Sequence, residues 1–572
     1  MGANVETKPA VSDMSKGYRE ARNTQVTSVL PDGDVPYTDH YMDDDERVIT
    51  ALGYKQEFKR EFSLWTTFCV SFAVLGLLPS FASTLWYGMG YAGTAGMVWG
   101  WIIAMIFIQC IAMSMAELCS AMPTRYDTLP DVTPEKLRRT ILRRSSARTP
   151  RYGPFAAWIT GWSNWIGQIT AAPSVDYSLS AMILAAVSIY NPDYVPTTWQ
   201  TFLLTTLIMI LHAGISSMPT KRVAQFNSWG STFNFIALIA PKIHPVQTSL
   251  GEITNLTDFP DGVAVLMTFV GVIWTMSGYD SPFHLSEECS NANIASPRAI
   301  VLTSGVGGLM GWFLQLVVAY TVLDIEAVLD SDLGQPWASY LLQVMPQKTA
   351  MAILALTIVC GFSMGQGCMV AASRVTYAYA RDDCFPFSNY WKQVHPYTQT
   401  PVNAVVLNAV LGILMCLLIL AGDVAIGALF SIGAIAQFFA FAVPITIRVF
   451  FVGDRFRRGP WHLGPFGPYI GAAGVVFVFF MVPILCLPSV TGKNLTPDLM
   501  NWTCLVWGAP MLAVTIWWVV DAHRWFKGPV VNVDHAIHGI EREPVVSEGI
   551  EPEVREPDAT ALSKADDPDN PI

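Results

Sequence analysis

Polar residues in this chain gather into short clusters that separate long apolar runs, most of them about 20 residues or more, the length that carries a helix across a hydrocarbon core of ~30 Å. The runs cover approximately residues 62–87, 94–119, 153–187, 201–215, a run from 228, 263–282, 299–322, 351–379, 402–420, 424–450, 467–487 and 502–520. Backbone groups inside a bilayer must be satisfied within the segment, so runs of this length read as helices. The pattern predicts an all-α polytopic membrane protein of about 12 transmembrane helices.

Two runs are interrupted. The sixth is cut near its end by Ser277, Gly278, Tyr279, Asp280, Ser281 and Pro282, and the first by Gly76, Leu77, Leu78, Pro79 and Ser80. Glycine admits unusual dihedrals, proline removes a backbone donor, and a carboxylate at membrane depth needs protein, water or ligand against it. The first and sixth runs occupy equivalent places in two five-span halves. This predicts inverted five-helix repeats with broken helices 1 and 6 and a substrate site between them. Leu77, Leu78, Pro79 and Ser80 are expected to offer N–H groups at the positive end of a half-helix, which suits a carboxylate. Ser277, Gly278, Tyr279 and Asp280 complete the candidate substrate set, with Tyr279 as an aromatic wall. The plain alternatives are a proline kink in the first run and an Asp280 solvated at the membrane face.

Composition agrees. Of 572 residues 52% are hydrophobic and only 14% charged, with a mean hydropathy of +0.38. The net charge of −11 comes largely from acidic tails, so no nucleic-acid partner is expected. The ten cysteines fall mostly inside apolar runs and lack metal-ligand spacing. Residues 1–57 and 528–572 read as disordered cytosolic tails around a transporter domain at 58–527, and no cleaved leader is visible. Basic clusters at Lys55, Lys59 and Arg60, at 125–151, at Lys221 and Arg222, at Arg455, Arg457 and Arg458, and at Arg524 and Lys527 mark the cytosolic side. That count puts both termini in the cytosol and the sequons at Asn255, Asn494 and Asn501 outside, as glycosylation candidates.

Three carboxylates are candidates to carry a coupled proton: Asp280, Asp176 in the third run and Glu117 near the end of the second, because a carboxyl removed from water binds a proton more readily. For Glu117 the alternative is a structural residue at a helix end, and for Asp176 a buried hydrogen-bonding role. Trp158, Trp162 and Trp165 form a helical stripe suited to packing or interfacial anchoring, with Asn164 the polar residue among them. Gly361-Phe362-Ser363-Met364-Gly365 has the spacing of a hydrolase nucleophile turn but sits in an apolar run, where small residues serve close helix packing. There is no phosphate-binding loop pattern, no HExxH and no CxxC, so neither ATP-driven pumping nor a metal or other cofactor is expected.

Several segments resemble a known family. They are Gly53-Tyr54-Lys55-Gln56-Glu57-Phe58-Lys59-Arg60, Gly76-Leu77-Leu78-Pro79-Ser80, Ala116-Glu117-Leu118 with Met122-Pro123-Thr124, Gly161-Trp162-Ser163-Asn164-Trp165, Ser277-Gly278-Tyr279-Asp280, and His284-Leu285-Ser286-Glu287-Glu288 with Pro297-Arg298-Ala299-Ile300. Together they resemble fungal members of the amino acid-polyamine-organocation superfamily, within the amino acid/choline transporter branch that includes GABA permeases. The resemblance implies a twelve-span plasma-membrane transporter for a small zwitterion or cation, usually driven by protons. Two stretches depart from it. Residues 125–151 are basic where the family has a Gly-Gly-x-Tyr-Tyr segment, and the fifth run fails at Pro241, Lys242, His244 and Pro245, leaving an atypical stretch at 241–256. The expected function is import of GABA or a related amino acid by proton symport, with choline as the rival substrate. A nutrient sensor that does not transport, or an inactive product, is the reading of another class, and the two departures favour it.

Overall fold

The computed structural model describes residues 62–121, 153–239, 253–453, 456, 458–496 and 500–526. The expected tails, the basic stretch 125–151 and most of 241–256 lie outside the described residues.

Helix α1, Leu64–Leu75, starts where Ser63 Oγ accepts from the Thr66 N–H at 3.3 Å and stops at Gly76, whose left-handed φ of 48° only glycine adopts without penalty. Helical structure resumes at Leu77 and runs to Ala121, with non-helical dihedrals at Ala92 and Gly93 that divide it into α2 (77–91) and α3 (94–121). α4 is Gly153–Tyr190 and α5 Thr198–Ser216, the latter opened by a reciprocal cap in which Thr197 and Gln200 each bond the other's backbone N–H. α6 is Thr220–Ile239.

The sixth span is α7 (Asp261–Met267) and α8 (Phe269–Met276), a break, and the short α9 (Ser281–His284). α10 (Ala292–Thr321) leads through two short helices, α11 (Ile325–Leu329) and α12 (Pro336–Val344), to α13 (Gln347–Arg381). α14 (Ser388–Trp391) precedes α15 (Val402–Cys416), α16 (Asp423–Thr446), α17 (Gly467–Leu485) and α18 (Thr503–Trp517).

Ten segments among the described residues are long and apolar enough to cross a membrane, and one of them, Leu64–Ala121, holds both the first and second expected spans. The fifth span departs from expectation. It begins at Thr220, about two turns before Ser228, with Pro219 O accepting the first helical amides. Its first two turns read as loop because Lys221, Arg222, Gln225 and Asn227 break the apolar pattern there. Asn227, Ser231 and Asn234 point into protein, Ser231 Oγ donates to Cys69 O, and a side chain at Gly230 would strike Ser363.

The helices pack with the internal symmetry the two breaks predict. α1 lies on α10 as α8 lies on α3, α4 on α16 as α13 on α6, and α5 beside α4 as α15 beside α13, while the pairs α3–α10, α4–α13 and α5–α15 are their own counterparts. Exchanging the five-span halves maps this contact set onto itself. At one end, the loop holding Asn255 meets the loop before α18, with Asp258 N–H donating to Ser489 O at 3.1 Å and Thr254 against Gly93. At the other, Phe62 pairs with Glu288 and Ser290 through backbone bonds of 3.1 and 2.9 Å, and Ser120 Oγ donates to Asn293 O.

Candidate substrate and proton site

The two breaks face each other. A Cβ at Gly278 would lie 3.0 Å from Val74 and 3.2 Å from Leu75 N, and Ser71 Oγ donates to Gly278 O at 3.4 Å. Gly278 has φ of 105° and follows an extended Ser277, so the second break requires glycine both for its dihedral and for this close approach.

The first break is one residue wide, which corrects the expectation of an opened stretch. Leu77, Leu78, Pro79 and Ser80 form the first turn of α2, all buried, and the single αL residue Gly76 suffices to end the ladder. Ser80 N–H donates to Gly76 O at 2.8 Å and Ser80 Oγ to Leu75 O at 2.8 Å, so the serine closes the broken ladder. What opens α2 is the pair of amides at Leu77 and Leu78, which have lost their carbonyls one turn earlier. Ser277 is likewise held within its own helix, its Oγ donating to Ile273 O at 2.8 Å.

Asp280 is fully buried, not solvated at the membrane face. Its Oδ2 lies 2.8 Å from Nε2 of His284, one turn on, and Gln168 of α4 reaches both, Nε2 being 3.5 Å from Asp280 Oδ2 and 3.3 Å from His284 Nε2. Asp280 Oδ1 has no hydrogen-bond partner among the described residues. A buried carboxylate oxygen without a partner is an unmet demand for a donor, which an ammonium group supplies. Tyr279 packs on Phe441 with ring centroids 6.0 Å apart, its hydroxyl also without a partner. Trp274, just before the break, sits edge-on to Phe430 at 4.9 Å with its Nε1 unsatisfied.

Toward the end that carries Asn255, a small pocket of about 10 Å³, room for about one water molecule, lies between α2, α3, the sixth span and α10, lined among others by Thr84, Thr275 and Gln315. Toward the other end the way is barred. Arg374 Nε of α13 donates to Glu288 Oε1 at 3.1 Å, both side chains buried, and the Phe62 bridge lies alongside.

The other two proton candidates sit elsewhere. Asp176 Oδ1 is 2.9 Å from His212 Nδ1 of α5, both completely buried. Glu117 Oε2 is 3.0 Å from Arg448 Nη2, and Glu117 Oε1 accepts from Leu463 N–H, so this carboxylate ties α3 to the chain after α16. Trp158 bonds Val514 O and stacks among Trp517, Trp518, Trp525 and Phe526, a packing role. Ser363 lies inside the unbroken α13, with no strand-to-helix turn around it. Asn255 and Asn501 each accept from the Thr two residues on and donate through Nδ2, to Phe259 O and Asp261 in one case and to Leu485 O and Leu487 O in the other. Gln168, His212, Trp274 and Arg374 escaped the sequence reading. A lone histidine in the apolar run 201–215 was a signal for His212, and the Asp-x-x-x-His spacing for His284.

The amino acid permease family model matches residues 62–510. The chain belongs to the amino acid permease family. An uncharacterized amino-acid permease of Schizosaccharomyces pombe is 55% identical over 514 residues, spanning 87% of this chain and 92% of that protein. A Candida albicans protein named as a polyamine transporter is 45% identical over 529 residues, 89% of this chain and 93% of that one. Amino-acid permease 2 of Neurospora crassa is 30% identical over 519 residues, 87% and 92%. The permease is therefore a multi-pass membrane transporter and not an enzyme.

Proposed function

We propose that this permease imports GABA or a related amino acid across the fungal plasma membrane by proton symport, with both termini in the cytosol. The observation that carries the reading is Asp280, sealed between the two breaks with one oxygen unsatisfied and the other on His284. The substrate ammonium completes Asp280, and its carboxylate takes the Leu77 and Leu78 amides at the positive end of α2. The Asp280–His284 pair holds the coupled proton. Gln168 ties that pair to α4, so a change in its charge alters the contact between the sixth span and the rest of the bundle.

A second reading is a polyamine substrate. It is supported by the name of the Candida albicans relative and by the charge at the second break, where Asp280 pairs with His284 and with no lysine or arginine of the described residues, while Arg374 is bonded to Glu288. A polyamine has no carboxylate and makes no use of the Leu77 and Leu78 amides. Choline needs an aromatic cage, and Tyr279 is turned onto Phe441.

The test is uptake of labelled GABA, spermidine and choline in a yeast lacking its own carriers for them, at acidic and neutral pH, with surface level verified. Saturable GABA uptake that is faster in acid and collapses with a protonophore supports the first reading. Spermidine or choline uptake alone replaces the substrate. Binding without uptake of any of them indicates a sensor.

A further inference from the structure

We infer that Asp176 and His212 form a second proton-binding site, set between α4, α5 and α13 apart from the substrate contacts, whose occupancy answers to the state of the first helix break. Its existence is independent of the transport reading above, and only its use in coupling rests on that reading.

Both side chains are completely buried at 2.9 Å from each other, and Asp176 Oδ2 and His212 Nε2 have no hydrogen-bond partner among the described residues. No lysine or arginine of those residues pairs with the aspartate. The other titratable groups facing it are the thiols of Cys368 on α13 and Cys416 on α15, and Asp280 faces Cys368 as well. The pair carries a net charge of −1 with no exchangeable proton, zero with one and +1 with two. Burial of net charge is costly, so the singly protonated, neutral pair is the resting form. Losing or gaining a proton then changes the charge of a site with no compensating ion.

The link to the break runs through α13. His212 packs on the Phe362 ring at 4.4 Å, and a Cβ at Gly365 would lie 2.6 Å from both Asp176 Oδ1 and His212 Cε1, so helix backbone rests directly on the pair. The preceding residue, Met364, fills the space over Gly76, where an added Cβ would meet its Sδ at 2.5 Å, and it accepts from Ser80 Oγ at 3.3 Å. Consecutive residues of one helical turn thus touch the break and the pair. Movement of the α2 start on substrate capture is passed to the pair as displacement of Gly365.

The test is infrared difference spectroscopy between acidic and alkaline samples of the purified full chain in detergent. A carbonyl stretch from a protonated carboxyl should titrate in the wild type, vanish in D176N, shift in frequency in D176E and persist in D280N. H212Q keeps the carboxyl while removing its imidazole partner, and should move the midpoint of the band. If D176N does not fold, D176E and H212Q still decide the matter. A band unchanged in D176E and H212Q, or lost in D280N and retained in D176N, overturns the proposal. The link to the break is read by repeating the titration in M364A, where a midpoint equal to wild type overturns that part. These spectra need no substrate, so failure of the uptake assay leaves them interpretable.

Discussion

Asp280 and Gly76 impose opposite kinds of constraint. Asp280 is needed for its charge, because the neutral amide of D280N fills the same space yet neither balances an ammonium nor holds a proton with His284. We expect D280N to reach the surface at the normal level and to lose uptake entirely, and normal uptake by that variant would remove Asp280 from the site. Gly76 is needed for its lack of a side chain. Left-handed backbone costs an L-residue about 1–2 kcal/mol, and a Cβ there would also meet the Met364 side chain at 2.5 Å. G76A should therefore lower the thermal transition in fluorescence-detected size exclusion. G76A/M364A should recover only part of the loss, since removing the thioether relieves the contacts with Sδ and Cγ but leaves the position-364 Cβ at 2.8 Å and the dihedral.

Helices joined by buried ion pairs were the part of the molecule that the sequence could not reveal, while the spans and the two breaks were open to reading. Apolar runs and glycines are local signals, and they placed most of the spans and the break at Gly278. Arg374 and Arg448 are single cations inside or beside runs, and nothing near them names Glu288 or Glu117 as partner, because each pair closes a contact between distant helices. The same limit left Glu117 open as a proton carrier and hid Gln168, which becomes part of the site only when α4 is laid across the sixth span. Polar Lys221, Arg222, Gln225 and Asn227 masked the first two turns of α6, although Asn227 is buried, because a hydropathy pattern cannot tell a polar residue turned to protein from one turned to water. Removing one member of a buried pair leaves an uncompensated charge and costs about 3–5 kcal/mol, whereas replacing both with apolar residues is often neutral. E117M should accordingly unfold at a clearly lower temperature than wild type, and E117M/R448M should recover most of the difference. Equal losses in the single and double variants would show that Glu117 acts through something other than Arg448.

The two sides of the breaks are built differently, one holding a small polar-lined pocket and the other a buried ion pair. Thr84, Thr275 and Gln315 line the pocket toward the end bearing Asn255, while Glu288, Arg374 and the Phe62 bridge close the opposite end, where Cys289 is buried. In a carrier that alternates between two states the two ends open in turn, so loosening one end shifts the population toward closure of the other. E288Q keeps the shape of the latch and removes its charge. With purified protein carrying Q315C, a thiol reagent and mass spectrometry to identify the modified residue, E288Q should raise modification of Cys289 and lower that of the thiol introduced in the pocket. Substrate held at the breaks should slow both reactions. A rise at both positions would mean that the bundle has merely loosened, and a rise at neither would mean that Glu288–Arg374 is a static brace. Only the opposed change fits an ion pair that must break once in every transport cycle.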